Sequence, residues 1–288
     1  MKSTAFAYRR AQSLAQAAEL AGGAFEAPKF MAGGQSLMPM MNLRLAMVDA
    51  MIDISRLPEL RRCCPDGDGL FIGAGVTHAM IEDGRVEDPA RGYLRHVAGG
   101  IAYRSVRNRG TVGGSLAHAD PAADWPTALR ALDAVAVIRG AGGERRAPLA
   151  EFQLGLMETS LQPGEILLGV VLPVLSAQAR WSYRKFCRKS GEFAHSIAAV
   201  VLDPARGMAN AVLGAASDRP QRLQHTSAAL AAAAGGATAT AGAGTIGAAL
   251  TDAIERDLAA ILGPEPDPYD QHLHRTLVRR AAEEACQP

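Results

Sequence analysis

Two short glycine-rich segments carry the residue types best suited to holding a ligand. Ala32-Gly33-Gly34-Gln35-Ser36 follows a short apolar run, and Thr111-Val112-Gly113-Gly114-Ser115 lies in a longer stretch dense in Gly, Asn, His and Asp. Glycine tolerates left-handed dihedrals, so successive N–H groups can converge on one anion, and the missing side chain lets the backbone approach a ligand closely. Ser36, Thr111 and Ser115 each add a hydroxyl donor. Two such loops, far apart in the chain, suit the two phosphates of a dinucleotide. A Gly-Gly pair is equally the mark of a plain turn. Neither loop has G-x-G-x-x-G or G-K-[ST] spacing, and Gly73-Ala74-Gly75 supplies only the first half of the former. Composition alone makes both loops candidates for phosphate binding and nothing narrower.

Elements must hold these loops in place. Ser13 to Ala21 reads as an amphipathic helix stopped by Gly22-Gly23, and Lys29 to Ala32 as a short strand running into the first loop. Met51 to Ile54 and Leu70 to Val76 are further strands, the latter followed by a helix that Thr77 opens. The segment from Val97 to Trp125 reads as one long functional loop without structure of its own. Beyond it come a helix over Trp125 to Leu132 and strands over Ala134 to Ile138 and Glu165 to Leu172. Trp181 to Phe186, Ile197 to Leu202 and Met208 to Leu213 suggest a three-stranded antiparallel meander, its second turn being Asp203-Pro204-Ala205-Arg206-Gly207. Tyr269 to Ala285 is a helix with Leu273, Leu277 and Ala281 on one face. The pattern is α+β, with a domain boundary near Pro173 to Ala179.

Bulk properties exclude several function classes. A net charge of +1 without long charged runs gives no electrostatic reason for a nucleic-acid or membrane-surface partner. Cys63, Cys64, Cys187 and Cys286 form no C-x-x-C pair and have no His at ligand spacing, so the chain is expected to hold neither a metal nor an iron–sulphur cluster. Vicinal Cys63-Cys64 reads as incidental. Arg9-Arg10 is followed by a small amphipathic helix and not by the apolar core of a signal. Thr226 to Thr251 is uncharged and long enough to span a bilayer, but its Ala, Gly and Thr content, with Gly235-Gly236 inside it, reads as a surface helical pair with a flexible connection. A soluble, cytoplasmic protein is expected.

Longer motifs narrow the reading. Ala32 to Pro39 followed by Asn42-Leu43-Arg44-Leu45 resembles the first flavin loop of the medium subunits of carbon-monoxide-dehydrogenase-type and xanthine-dehydrogenase-type molybdenum hydroxylases. Arg107 to Pro126 is similar to that family's second loop almost throughout. Phe6-Ala7-Tyr8, Gly73 to Thr77, Gly164 to Leu167, Tyr183 to Ala194 and Tyr269 to Arg280 also fit, while Gly235 to Gly247 is too simple in composition to match anything. The cysteine-rich insertion of the hydroxybenzoyl-CoA reductase branch is missing.

The resemblance implies a two-lobed FAD-binding domain of the vanillyl-alcohol-oxidase / p-cresol-methylhydroxylase type over residues 1–176, its lobes about 1–56 and 57–176. Residues 177–288 would form a C-terminal domain, with the three-stranded sheet and helices, closing over the flavin. It further implies that Ala32, Gly33, Gly34, Gln35, Ser36 and Leu37, with Thr111, Gly113, Gly114 and Ser115, hold the pyrophosphate and the adjoining ribityl region. Asp124 matches the family's flavin-bonding carboxylate, its alternative role being a helix N-cap. Ile101 and Leu168 are assigned to the adenine and ring edges, Phe193 to shielding the isoalloxazine ring, Arg188 or Lys189 to balancing phosphate charge, and Asp120 to touching the cofactor. For each of these a plain packing or surface role stays open. His118 shapes the loop, and no residue is assigned general-base chemistry, because flavin electron transfer requires none.

The implied function is that of an FAD-containing electron-transfer subunit in a heterotrimeric molybdenum hydroxylase. A large subunit would carry the molybdenum cofactor and a small one two [2Fe-2S] clusters, with a dimer of heterotrimers as the assembly. The organic substrate belongs to another chain, and oxygen, a quinone, NAD or another carrier remain as terminal acceptors. A self-contained flavin oxidase of the same fold and a flavin-free scaffold subunit are the two alternatives.

Overall fold

Three larger sheets, a two-stranded ribbon and the helices between them, among the described residues, make a mixed α/β architecture, seen in a computed structural model that describes residues 2–23, 25–235 and 243–287. The first sheet is parallel, with β1 (Ala7–Arg10), β2 (Pro28–Met31) and β3 (Ala50–Asp53) in the order β1-β3-β2. Parallel neighbours need crossovers. The helix Leu14–Ala21 provides the first, its N-terminus capped by Ser13, whose side chain accepts from the Gln16 N–H, and its end at Gly22. The second crossover contains the first glycine loop and the helix Leu37–Asn42. That loop therefore sits at the carboxyl edge of a parallel strand, where open α/β sheets collect ligands.

A second sheet, antiparallel throughout, has the order β4-β5-β10-β6-β7: β4 (Cys63–Asp66), β5 (Gly69–Gly73), β6 (Val135–Gly140), β7 (Gly143–Pro148) and β10 (Ile166–Pro173). Strands β8 (Gln153–Gly155) and β9 (Glu158–Thr159) pair with each other alone. The third sheet runs β11 (Arg180–Phe186), β12 (Ser196–Asp203), β13 (Met208–Gly214) and β14 (Gln221–Arg222). Instead of the expected three strands it has four, the last only two residues long and held on Val212 and Leu213.

The central strand β12 shows why its sequence is an unbroken apolar run. Ile197, Ala199 and Val201 enter the main core with Trp125, Phe152 and Leu168, while Ala198, Val200 and Leu202 enter a second core under the C-terminal helices. A strand buried on both faces shows no polar alternation. The helix Pro268–Cys286, capped by Asp267, covers the second core. Its buried face is His274, Val278, Ala281, Ala282 and Ala285, whereas Leu273 and Leu277 lie only partly buried. Small alanines let this helix approach β11 and β12 closely, and they outweigh the leucines in setting which face turns inward.

Two other expectations change. The segment from Val97 to Trp125 is mainly helical, with helices ending at Gly99, spanning Arg104–Arg107 and Val112–His118, and starting again at Asp124. Its glycines and polar residues serve as caps and crossings between short helices, a role that composition does not distinguish from a loop. The uncharged stretch becomes the helices Gln224–Gly235 and Ala243–Leu262, and Leu230 and Leu250 are buried in the second core, so the pair is not a surface feature. The expected flexible connection lies outside the described residues. No helix among those described is long and apolar enough to cross a membrane.

Candidate functional site

A cleft of about 720 Å³ is lined by both glycine loops together, a size within the roughly 300–1,000 Å³ range of small-molecule and cofactor sites. In the first loop the backbone N–H groups of Gly33, Gly34, Gln35 and Ser36 donate no hydrogen bond among the described residues. Gly34 takes a left-handed φ of 72°, the conformation that turns successive N–H groups to one side. Gly33 is required for a different reason. A Cβ there would run into the Arg109 carbonyl and come within 2.9 Å of Gly110 Cα. The first loop thus lies directly on the residues that lead into the second.

The second loop is built differently. Thr111 is the N-cap of the helix Val112–His118, and its hydroxyl accepts from the Gly114 N–H at 3.0 Å. Val112 N–H donates to Val76 O at 3.0 Å, Gly113 N–H to Ala74 O at 2.9 Å, and Ser115 N–H to Thr111 O at 3.0 Å. These amides are already used, so the expected second anion nest does not form. Gly113 is helical and not left-handed, and a Cβ on it would collide with Ala74. Here glycine permits contact with Ala74, the residue that follows β5, and Ser115 adds a polar residue to the cleft lining.

Asp124 lines the cleft, buried, with a tyrosine and a lysine gathered on its carboxylate. The Tyr183 hydroxyl donates to Oδ1 at 2.7 Å, and Lys185 Nζ donates to Oδ1 at 2.9 Å, to Oδ2 at 3.1 Å and to Gly100 O at 2.7 Å. A buried carboxylate is tolerable only with such partners. Burial first, and the charge of Asp124 second, hold the Tyr183 and Tyr93 phenols well above their ordinary pKa. The cap alternative for Asp124 fails: Ala123 occupies that position and Asp124 is the first helical residue. There its negative charge faces the positive end of the helix dipole.

Of the residues expected at the site, Ala32 to Leu37, Ile101, Thr111, Gly113, Gly114, Ser115, Asp124 and Phe193 line this one cleft. Three do not. Leu168 is a buried core residue of β10, its neighbours Ile166 and Leu167 reaching the cleft instead. Asp120 folds back to accept the Ala122 N–H at 2.9 Å, and Arg188 is exposed outside the lining, as is Lys189. Phe193 stands at the mouth, 60% exposed, on the segment that also brings Gly191 and Glu192 to the cleft. Lys185 and His78 were not singled out in the sequence. Strand alternation offered a signal for Lys185, since it falls two residues from Tyr183 on β11 and so on the same face. For His78, buried with its Nδ1 accepting from Trp125 Nε1 at 2.9 Å, no local pattern exists.

A family model described as the FAD-binding domain in molybdopterin dehydrogenase matches residues 4–175. The chain belongs to this family. Its relatives include the 6-hydroxypseudooxynicotine dehydrogenase complex subunit alpha of Paenarthrobacter nicotinovorans, 36% identical over 202 residues, covering 70% of this chain and 68% of that protein. The carbon monoxide dehydrogenase medium chain of Hydrogenophaga pseudoflava is 36% identical over 197 residues, 68% of this chain and 69% of its own length. A solved structure of carbon monoxide dehydrogenase from Hydrogenophaga pseudoflava, lacking the Mo-pyranopterin moiety of the molybdenum cofactor, superposes with a TM-score of 0.85 at 32% identity, over 99% of this chain and 98% of that one. The chain is accordingly a flavoprotein oxidoreductase subunit with FAD as its cofactor.

The cleft of this FAD-binding domain fits that group on structural grounds. It offers a run of amides without acceptors among the described residues for an anion, a left-handed Gly34 that turns them to one side, and apolar walls from Ile101, Ile166 and Leu167. Among the described residues no cluster of His, Cys, Asp and Glu could hold a metal. The four cysteines are free, and burial pushes the Cys63 thiol up, which disfavours the thiolate that redox exchange needs.

Proposed function

We propose that this chain is the electron-transfer subunit of a heterotrimeric molybdenum hydroxylase, standing between iron–sulphur clusters of a small partner subunit and an external acceptor. A large partner subunit would carry the molybdenum cofactor, the small one two [2Fe-2S] clusters, and two heterotrimers would pair in the cytoplasm. In this reading residues 1–176 form an FAD-binding domain of the vanillyl-alcohol-oxidase / p-cresol-methylhydroxylase type, and residues 177–288 close over the flavin. The observation that carries it is the convergence of Ala32 to Leu37, Thr111, Gly113, Gly114, Ser115 and Asp124 on one cleft of cofactor size. That its relatives are a medium chain and a subunit of a complex supports the division of labour among several chains.

FAD, when bound, supplies the one-electron redox chemistry. The chain supplies position and environment. The free amides of Gly33 to Ser36 bind the pyrophosphate, and the Ser115 hydroxyl donates to the adjoining ribityl region. Asp124, held by Lys185 and Tyr183, accepts from a hydroxyl or amide of the flavin half, and Phe193 covers the mouth against water. No residue of the cleft is required as a general base.

Purification of the tagged chain from its native cells, with an absorption spectrum and identification of the co-purifying chains and released cofactor, tests this directly. FAD together with a molybdenum subunit and a two-cluster subunit supports the proposal. FAD without partners points to a self-contained oxidase, and partners with a subunit unable to rebind FAD point to a scaffold.

A further inference from the structure

Beneath the junction of the two glycine loops lies an imidazole whose hydrogen-bonding capacity is half used. His78 opens the helix His78–Glu82, is 5% exposed and lines the cleft. Its backbone N–H donates to Gly110 O at 3.0 Å, and Trp125 Nε1 donates to its Nδ1 at 2.9 Å. An indole N–H is a donor only, so Nδ1 must be the bare nitrogen and the ring proton resides on Nε2. Burial, then the charge of Arg107, lowers the imidazole pKa to about 4, so the ring is neutral at physiological pH.

The Nε2–H makes no hydrogen bond among the described residues. Gly110 faces it, and a Cβ at that position would come within 2.7 Å of Nε2. The missing side chain keeps the nitrogen accessible at the place where Gly33 of the first loop abuts Arg109 and Gly110. This donor is not walled in by protein but opens on the cleft, and it is held in a single tautomer beside a site that suits a ligand rich in acceptor oxygens. We propose that His78 is a cofactor-binding residue whose Nε2–H donates to an oxygen of FAD at the junction of the two loops. The inference rests on the assignment of the cleft to FAD.

The competing role for His78 is packing alone, as the acceptor for Trp125. Two substitutions separate the roles, because an Asn amide reaches the place of Nδ1 whereas a Gln amide reaches that of Nε2. His78→Asn keeps the acceptor for Trp125 and loses the donor, and His78→Gln does the reverse. The full chain in its purified complex is stripped of flavin and titrated with FAD, with thermal unfolding of the flavin-free form recorded in parallel. The expected result is an FAD Kd raised about tenfold in His78→Asn, the scale of one hydrogen bond, and little changed in His78→Gln. The flavin-free form of His78→Gln should be the less stable of the two. The opposite order, or wild-type affinity in both variants, overturns the proposal. If neither variant folds, the Nε2 proton resonance of histidine-labelled wild-type chain decides: it shifts on saturation with FAD if the bond forms, and an unmoved resonance overturns it. Failure of the wild-type complex to bind FAD at all would instead refute the assignment of the cleft, which the first titration reports separately.

Discussion

Side by side in sequence, Ala32-Gly33-Gly34-Gln35-Ser36 and Thr111-Val112-Gly113-Gly114-Ser115 offer the same residue types. In the fold, the first leaves the amides of Gly33 to Ser36 without acceptors among the described residues, while the second has donated those of Val112 to Ser115 to Val76, Ala74 and Thr111. Gly33 and Gly113 are both irreplaceable, but one meets the other loop and the second meets Ala74, the residue that follows β5. A glycine pair therefore marks close approach, and what approaches is set by the surroundings. The first loop is a ligand-facing donor set, and the second is a buttress that fixes where the first can lie.

The largest effect should come from breaking the buttress. Gly113→Val forces a side chain into Ala74, an overpacking of the order of 3 kcal/mol. That predicts a fall in Tm of about 10 °C and loss of FAD. Retention of full flavin occupancy would falsify the buttress assignment. Gly33→Ala should act on the ligand more than on the fold. Its Cβ meets the backbone of Arg109 and Gly110, so the flavin-free melting temperature should fall, but by less than in Gly113→Val because the first loop is only half-buried and can shift. FAD retention should drop by roughly two orders of magnitude, about 3 kcal/mol. A melting loss equal to that of Gly113→Val would erase the distinction between the loops.

His78, tied to the second loop through Gly110, gives a pH signature. Its folded pKa of about 4 lies below the ordinary 6.5, so between those values the unfolded chain binds more protons and stability rises with pH. Acidification through that window should cost up to about 3 kcal/mol from this group alone, an effect fully absent above pH 6.5. Denaturant titrations of wild type and His78→Asn between pH 4.5 and 7 should therefore differ in slope. Parallel curves would show that the ring is not held neutral.

The smallest effects should split by side chain. Thr111→Ala removes the cap for Gly114 and is expected to lower stability by about 1 kcal/mol, with a modest change in FAD affinity. Ser115→Ala should leave the melting temperature unchanged and weaken FAD binding by a few fold, about 1 kcal/mol. Calorimetry of the two flavin-free variants beside FAD titrations checks this, and identical behaviour would mean that both hydroxyls act in the same way.

Local chemistry was legible without a structure. Ser13 and Thr77 cap the helices they were expected to open, Gly22 ends the first, and the apolar run from Ile197 to Leu202 lies in a strand, Ser196–Asp203, buried on both faces. Each is decided by a few neighbouring residues, through dihedral preference, side-chain oxygen reach or hydrophobic period. The glycine loops and Asp124 were legible too, by their motifs. The fourth strand Gln221–Arg222 was not, because two residues carry no period. The helical nature of Val112–His118 was hidden by its glycines, which disfavour a helix intrinsically; Gly113 is accepted because Ala74 leaves no room for anything larger, and Gly114 because it lies against the Thr111 hydroxyl.

The sequence by itself determined which residues could bind a dinucleotide and which family's motifs they match. Only the tertiary structure decided which amides are free to do so, that Asp124 is paired with Tyr183 and Lys185, that Leu168 belongs to the core, and that His78 has one tautomer. The pairs that fix these outcomes lie 59, 61 and 47 residues apart in the chain. A hydrogen-bonding group carries its capacity in its own chemistry, but its partner is whatever the folded chain brings within about 3 Å.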